Sequence, residues 1–235
     1  MPVILQTTLP ETHVAGARLP GTAPCPPDSW ITVDEAYAAQ MAYRGSLLAE
    51  KTADVLYENA DTSGVGNEVL DEVLALLPAK GFLVSDTSVT CPDGRVVTIA
   101  RDAPLWTLGH IVQEDICVLQ KQGDEHVMTS AVLCFPANWR LAEKINRPLT
   151  GIHEPVHEYD DNIAKRVQRL FDGVQVGRPL WRYNRLPYVD ADLHQPYKRA
   201  VTDVMPYIRS ERQCVVRMPV SQAVVFTIHS YMVAR

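Results

Sequence analysis

The sequence predicts an α+β protein built on antiparallel β-sheet. Segments with helical periodicity lie early and in the middle of the chain, whereas strand-like alternation occurs in hairpins and again in a run at the end. Helices and single strands do not alternate in the rhythm that builds a parallel sheet. Because 235 residues can bury one large core, we expect a single α+β domain over residues 31–235, preceded by an irregular arm over residues 1–30.

The arm is predicted from prolines that are too frequent for regular structure: Pro2, Pro10, Pro20, Pro24, Pro26 and Pro27. The segment Thr32-Val33-Asp34-Glu35 then matches a capping box, in which Thr32 and Glu35 satisfy each other's backbone amides. An Ala- and Leu-rich stretch to about Glu58 predicts a long amphipathic helix. A second helix is predicted over Asn67–Leu77, where an apolar stripe ends at a proline and a glycine.

Two hairpins are predicted in the middle of the chain. Cys91-Pro92-Asp93-Gly94 is typical of a turn between short β-branched runs. Gln122-Gly123-Asp124 separates the strand-like runs 116–121 and 126–135. Both hairpins fit an antiparallel sheet.

Helices and then strands are expected beyond the hairpins. Asn138 is predicted to cap a short helix to about Ile145. A further helix is predicted from about Asp160 to Phe171, with Gly173 as a left-handed cap. The remaining chain predicts three strands: Leu180–Leu186, Gln213–Met218 and Gln222–Met232.

Composition narrows the class of partner and the compartment. The chain is 46% hydrophobic and 21% charged, and its formal net charge of -6 offers no general attraction for nucleic acid or anionic lipid. The five cysteines are scattered and never form C-x-x-C, a pattern that fits free thiols in a reducing compartment. Because neither a signal-peptide pattern nor an apolar run of about 18 residues is present, we expect a cytoplasmic protein without a nucleic-acid or membrane partner.

The stretch GIHEPVHEYDD, residues 151–161, contains the string H-E-x-x-H, which on a helix would place two imidazoles around a zinc ion. Pro155 lies inside that string, removes a backbone donor and disfavours a helical conformation at Glu154. His153 and His157 would then no longer share a helix face. The local sequence therefore disfavours a zinc protease.

Two further groups could form a ligand site. In the last strand, Thr227, His229 and Tyr231 share one face, which could meet a ligand or simply face water. The segment Arg209-Ser210-Glu211-Arg212-Gln213 holds two guanidinium groups beside a carboxylate. These groups could clamp a carboxylate, or they could form a surface ion pair.

Other polar or reactive residues leave alternatives open. Cys134 precedes Phe135-Pro136 and could be an axial haem thiolate, although a buried inert cysteine is favoured by the apolar run before it. The triplet Gln113-Glu114-Asp115 could end a helix or supply hydrogen bonds to an internal site. Glycine-rich nucleotide motifs and the plant-type iron–sulfur cysteine spacing are missing, so those motifs predict no flavin, nicotinamide or iron–sulfur cluster in this chain.

A longer pattern resembles the haem-dependent oxidative N-demethylase family. The matching segments are VQED at 112–115, LCFPANWRLAEK at 133–144, RPL at 147–149, IHEPV at 152–156, ERQ at 211–213, VFTI at 225–228 and Tyr231, with LPG at 19–21 and DEAY at 34–37 near the start. The likeness covers most of the chain, and the central block is long and specific.

This resemblance implies a PAS-like antiparallel sheet that holds a b-type haem. The haem would activate O2 to oxidise an N-methyl group of a small or secondary-metabolite amine, with formaldehyde and the demethylated amine as products. His153 would be the axial ligand of the haem iron, because the family pattern is I-H-x-P-V followed by another proline, whose place His157 takes here. Pro155 would keep the chain extended after His153, so that the imidazole projects from a rigid loop.

The resemblance also suggests roles for residues outside that loop. Arg212, Thr227 and Tyr231 are the candidate catalytic residues, through distal hydrogen bonds to O2 or orientation of the amine, and His229 is a weaker candidate. Arg212 and Gln113 are additional candidates for binding the cofactor. Electrons would come from a separate flavin or iron–sulfur reductase, which makes a redox partner necessary. A non-catalytic haem-binding PAS-type sensor and a haem-free interaction domain are the alternative functions.

Overall fold

A computed structural model describes residues 2–10, 21–59, 63–153, 161–199 and 204–235. The described helices are α1 (Tyr37–Glu50), α2 (Thr52–Val55), α3 (Ser63–Leu76), α4 (Pro104–Ile111), α5 (Leu141–Lys144), α6 (Leu149–His153) and α7 (Asp161–Gly173), and a 3-10 helix covers Leu77–Lys80. The described strands are β1 (Ala23–Pro24), β2 (Leu56–Tyr57), β3 (Leu83–Val84), β4 (Ser88–Thr90), β5 (Val96–Thr98), β6 (Asp115–Gln122), β7 (Glu125–Val132), β8 (Leu180–Tyr188), β9 (Tyr207–Arg217) and β10 (Val224–Ala234).

The strands form two antiparallel sheets. The larger sheet has the order β1-β8-β9-β10-β6-β7-β2, and the smaller one has the order β3-β4-β5. The predicted α+β class is therefore confirmed. The PAS-like label, and the boundary at residue 30 between an arm and one domain, stay predictions.

Each face of the large sheet packs on its own apolar core. The first core joins one face to α1, α3 and α4, with members such as Leu48, Val73, Leu108, Val118 and Val225. The second core joins the other face to α5, α6 and α7, with members such as Cys117, Leu141, Ile152, Phe171 and Ile228. Because successive side chains of a strand point to opposite faces, each central strand contributes to both cores.

Both predicted hairpins are confirmed. The strands β4 and β5 pair around a turn in which Gly94 has φ of 84°, and β6 and β7 pair around Gly123, with φ of 61°. Glycine suits these positions because it adopts the left-handed region without a steric penalty from Cβ.

The predicted capping box is wrong. The Thr32 amide donates instead to Glu114 Oε1 at 2.6 Å, and Glu35 Oε1 accepts from the Thr7 amide at 2.9 Å. The first helix begins only at Tyr37 and ends at Glu50, well before the predicted Glu58. Tertiary partners outweigh the local capping preference, and Leu56–Tyr57 leave the helical path to pair with β7.

Two other local predictions also fail. The short helix α5 begins after Arg140, and Asn138, with φ of 63°, lies outside it instead of capping it. Gly173 is the last residue of α7 and has no left-handed conformation. By contrast, the predicted helix over Asn67–Leu77 and the three C-terminal strands are found with extended or shifted ends.

Helix α4, which the sequence patterns did not predict, packs closely at Gly109. A Cβ atom at this position would lie 2.9 Å from both Leu48 Cδ1 and Val132 Cγ2. We expect Gly109→Ala to lower the free energy of unfolding by about 1–3 kcal/mol, because the added methyl group forces α4 away from α1 and β7. Urea denaturation measures the change.

Gly45→Ala on α1 is the matched control for this prediction. A Cβ at Gly45 would meet no atom within 4 Å, so alanine should stabilise the helix by about 0.5–1 kcal/mol. Equal effects of the two substitutions would contradict the close approach at Gly109.

Candidate functional site

A buried imidazole links the last strand to the N-terminal part of the chain. His229 is 1% exposed, and its Nδ1 and Nε2 lie 3.0 Å from Glu114 Oε1 and 3.1 Å from Asp34 Oδ2. Burial alone would lower the pKa of His229, but the hydrogen bonds and charges of Asp34 and Glu114 raise it to about 9. Burial likewise opposes ionisation of Asp34, yet its hydrogen bond with His229 lowers the Asp34 pKa to about 2. The imidazolium therefore uses both ring nitrogens for carboxylates.

Gln113 extends this network toward α1. Its Nε2 donates to Asp34 Oδ1 at 2.8 Å and to Gln40 Oε1 at 3.0 Å, and its Oε1 accepts from the Asp34 amide at 3.1 Å. The triplet 113–115 directly follows the end of α4 and also makes internal hydrogen bonds, so the two structural descriptions hold together. A contact between Gln113 and a cofactor stays a prediction.

A buried ion pair fixes the start of β6. Arg44 Nη1 lies 2.6 Å from Asp115 Oδ1, and both side chains are almost completely buried. The same guanidinium donates to the carbonyls of Gly109, Gln113 and Glu114. Asp115 also accepts from two backbone amides, those of Cys134 and Phe135. The pair therefore joins α1 to three other segments.

Arg212 contacts sulfur atoms. Its Nη1 lies 3.1 Å from Cys214 Sγ and its Nη2 lies 3.3 Å from Cys25 Sγ, and the guanidinium stacks 5.4 Å from the Trp181 ring centroid. A hydrogen bond from Cys214, aided by the charge of Arg212, lowers the pKa of Cys25 to about 6 against the opposing effect of burial. Arg212 thus helps hold a thiolate.

The two arginines near the start of β9 do not form one clamp. Arg209 Nη2 lies 3.1 Å from Glu211 Oε1, and both side chains are buried. Arg209 also donates to the carbonyls of Leu193 and Phe135. The pair is therefore a buried ion pair, and neither the surface pair nor the two-arginine clamp considered from the sequence describes it.

The candidate catalytic residues lie on the first-core face of the sheet. Thr227 Oγ1 donates to the Trp30 carbonyl at 3.4 Å, and the Tyr231 ring lies 4.7 Å from the His229 ring. Arg212 pairs with His229 across β9 and β10, so it shares that face. The structure therefore brings Arg212, Thr227, Tyr231, Gln113 and His229 together beside the N-terminal segment.

The segment that carries His153 lies on the opposite side of the sheet. His153 is the last residue of α6, whose Ile152 packs in the second core. The sheet therefore lies between α6 and the side chains of Arg212, Thr227 and Tyr231. The His153 side chain, Pro155 and His157 lie outside the described residues, so axial ligation stays a prediction. The backbone of His153 itself is helical, and the loop expected after it lies outside the described residues.

On the second-core side, β8–β10 present a half-buried surface that the sequence patterns did not reveal. Its apolar row consists of Leu180, Val215 and Phe226, which lie directly opposite one another on neighbouring strands. Its next row contains Arg182, Gln213 and Ile228 in the same register. Only the pairing of β8 with β9 places Arg182 here, because no motif surrounds it in the sequence. We call these two rows the sheet platform.

Cys134 behaves as a structural cysteine. Burial raises the pKa of its thiol to about 12, so the thiol stays protonated at neutral pH. Its carbonyl accepts a hydrogen bond from His194 Nδ1 at 2.8 Å. The environment fits the buried inert alternative and not an axial thiolate.

Metal clusters and membrane spans are not found in the described part of the chain. No group of three or more His, Cys, Asp or Glu side chains there is arranged to hold a metal ion. None of the described helices is long and apolar enough to cross a membrane. A cavity of about 770 Å³ lies beside the β6–β7 hairpin, the end of α7 and the end of β9, and its lining includes Lys121, His126, Asp172 and Arg217.

The chain is an α+β protein whose antiparallel sheet has a buried polar network on one face and a half-buried platform on the other. Residues 21–234 match a family model described as "Haem-dependent oxidative N-demethylase, alpha subunit-like", and the chain belongs to this family. The suspected family is thereby confirmed. No curated protein matches the chain.

Proposed function

We propose that this protein binds haem b and uses it to N-demethylate a small amine. The family match over residues 21–234 is the observation that carries the proposal. The overall reaction would consume an N-methylamine, O2, two electrons and two protons, and it would release the demethylated amine, formaldehyde and water. The electrons would come from a separate flavin or iron–sulfur reductase, since the sequence motifs for those cofactors are missing from this chain.

In this proposal the haem would lie against the half-buried part of the sheet platform, since Val215 and Ile228 are already buried in the second core. Leu180 and Phe226 are half-buried and pack against the second core, to which Ile152 of α6 also belongs. A planar apolar ligand would remove such surface from water, which is favourable by about 25 cal/mol per Å². His153 immediately follows Ile152, so its backbone is near this core. When bound, the haem would supply the O2 activation that no side chain provides.

A haem on the platform would give the polar residues of the first-core face a different role from the one expected. Direct contact of Arg212, Thr227 or Tyr231 with O2 or amine would require the ligand to lie on that face of the sheet. With the haem on the platform, these residues would stabilise β9 and β10 from the opposite face of the sheet and act as positioning residues. Arg212→Ala distinguishes the two arrangements, because loss of a direct contact should alter the visible spectrum of the haem-loaded protein in the presence of O2 or amine at unchanged haem affinity.

Axial ligation is tested by His153→Ala beside His157→Ala. After expression with ample porphyrin supply, we expect the first variant to lose the Soret band and the second to keep it, because only His153 would ligate the iron. A pyridine haemochrome spectrum identifies haem b, and added imidazole should restore a ligated spectrum to the His153→Ala variant. An unchanged band in His153→Ala would place the ligand elsewhere.

Turnover separates the enzyme from its alternatives. Formaldehyde release is measured with reduced protein, O2 and a panel of methylamines. Release supports the demethylase, whereas a haem-loaded protein without release on any amine supports the sensor. A wild-type chain that stays colourless with ample porphyrin supports the haem-free interaction domain.

A further inference from the structure

Arg182 is a half-buried cation without a partner among the described residues. It lies in the middle of β8, and its side chain points to the second-core face with the sheet platform. No hydrogen bond or ion pair of its guanidinium is found within the described ranges. Burial lowers the pKa of Arg182, and the charge of Glu211 only partly offsets this effect. A partly desolvated charge of this kind costs free energy unless an anion accompanies it.

The carboxylate whose charge acts on Arg182, that of Glu211, already has another cation as its partner. Glu211 Oε1 lies 3.1 Å from Arg209 Nη2. Its Oε2 accepts from Asn184 Nδ2 at 2.8 Å and from Gln213 Nε2 at 3.1 Å. Glu211 therefore has its own cation and two amide donors, which leaves the donors of Arg182 available to an added group.

The surroundings of Arg182 suit a ligand that is apolar in its body and anionic at one end. Leu180, two residues before Arg182, shares its face and packs half-buried against the second core. Ile228 lies two strands away in the same row as Arg182, beyond Gln213. A guanidinium at the margin of an apolar surface binds a carboxylate through two parallel hydrogen bonds, which a lysine cannot reproduce.

We propose that Arg182 binds a carboxylate of the ligand that occupies the sheet platform. The inference rests on the proposed function, because it takes the platform as the place of the haem and of the amine beside it. The carboxylate could come from a haem propionate or from an amine substrate that is an N-methylated amino acid. Both present the same chemistry to the guanidinium, and analogues that lack the carboxylate, a haemin diester and a simple methylamine, separate them.

The test measures affinity for haemin and for haemin dimethyl ester by absorbance titration of the apoprotein. If a propionate is the partner, Arg182→Ala should bind haemin about tenfold to a hundredfold more weakly, the range expected for a charge-assisted hydrogen bond. The same variant should bind the dimethyl ester as the wild type does, since the ester carries no carboxylate. Arg182→Lys should restore only part of the affinity.

A second titration tests whether the carboxylate that Arg182 binds belongs to the substrate. Spectral titration of the haem-loaded protein compares N,N-dimethylglycine with dimethylamine. If the substrate supplies the carboxylate, Arg182→Ala should bind haemin normally but weaken N,N-dimethylglycine about tenfold or more and leave dimethylamine unchanged. This outcome would also assign amino acids as the substrate class.

Arg185→Ala is the matched control, because Arg185 lies on the same strand but is exposed and points to the other face. It should bind all four probes as the wild type does. If Arg182→Ala also matches the wild type with all four probes, the inference is wrong while haem binding stands. If the wild type binds neither haemin nor its ester, the proposed function fails and the inference fails with it. Circular dichroism of each variant confirms that the fold is retained.

Discussion

Replacement of Arg44 by methionine should lower the free energy of unfolding by about 3–5 kcal/mol, the largest effect that we expect from a single substitution in this protein. The change leaves the Asp115 carboxylate buried without its cation. It also leaves three backbone carbonyls without the guanidinium donors that now lie 2.9–3.2 Å away. Methionine preserves apolar volume, so the loss reflects charge and hydrogen bonding more than a cavity.

Urea denaturation of the wild type and of Arg44→Met measures this effect. Arg101→Met is the control, because Arg101 forms an ion pair with Asp71 in which both side chains are about half exposed. Exposed pairs contribute about 0–1 kcal/mol, so this variant should be nearly as stable as the wild type. Combining Arg44→Met with Asp115→Leu should recover part of the loss, since neither charge is then buried alone. Similar stabilities of Arg44→Met and Arg101→Met would show that the buried pair is dispensable.

Replacement of His229 by glutamine should remove a pH-dependent part of the stability. The folded pKa of His229, about 9, is above the ordinary value of 6.5. Its contribution is therefore complete below pH 6.5 and is lost as the pH rises to about 9. The difference corresponds to on the order of 3 kcal/mol, at about 1.4 kcal/mol for each pKa unit. The contribution of Asp34 to stability depends on pH in the opposite direction. Its pKa is lowered on folding, so the contribution is lost as the pH falls from 3.8 to about 2.

The free energy of unfolding is measured between pH 5 and 9.5 for the wild type and His229→Gln, with buffers of constant ionic strength. The wild type should lose stability across the upper half of this range, whereas the variant should be less stable at pH 6 and nearly flat above it. Asp34→Asn should move the falling limb to lower pH, because the imidazolium then retains only Glu114. If the free energy of unfolding of the wild type does not change between pH 6.5 and 9, His229 is not a buried imidazolium.

Local patterns in the sequence were enough to predict several elements of the fold. Alternating runs around Gly94 and Gly123 specify the hairpins because a left-handed turn favours glycine and neighbouring strands need no distant partner. Predictions of helix ends were weaker. Thr32 and Glu35 match a capping box, yet their partners are Glu114 and the Thr7 amide, and these contacts are 82 and 28 residues apart in sequence.

For the candidate site, too, the sequence predicted some features and missed others. The family was recognisable from the central block of residues 133–144, and the residue types of the last strand indicated polar side chains on one face. The sequence did not predict on which side of the sheet those side chains lie relative to α6. A period-2 pattern shows which residues share a face, but it does not show which core that face covers.

By itself, the sequence determined the α+β class, both hairpins, the helical segments that became α1, α3, α5 and α7, the three C-terminal strands, and the family. Only the tertiary structure decided that His229 is held between Asp34 and Glu114 and that Arg212 contacts two cysteines. It also placed Arg182 on the platform, where no ion partner is found among the residues that the structure describes. The physical reason is the separation in sequence between the residues that interact. Turn preferences and periodicity act between residues a few positions apart, whereas burial, ion pairing and pKa depend on groups that folding brings together from distant parts of the chain.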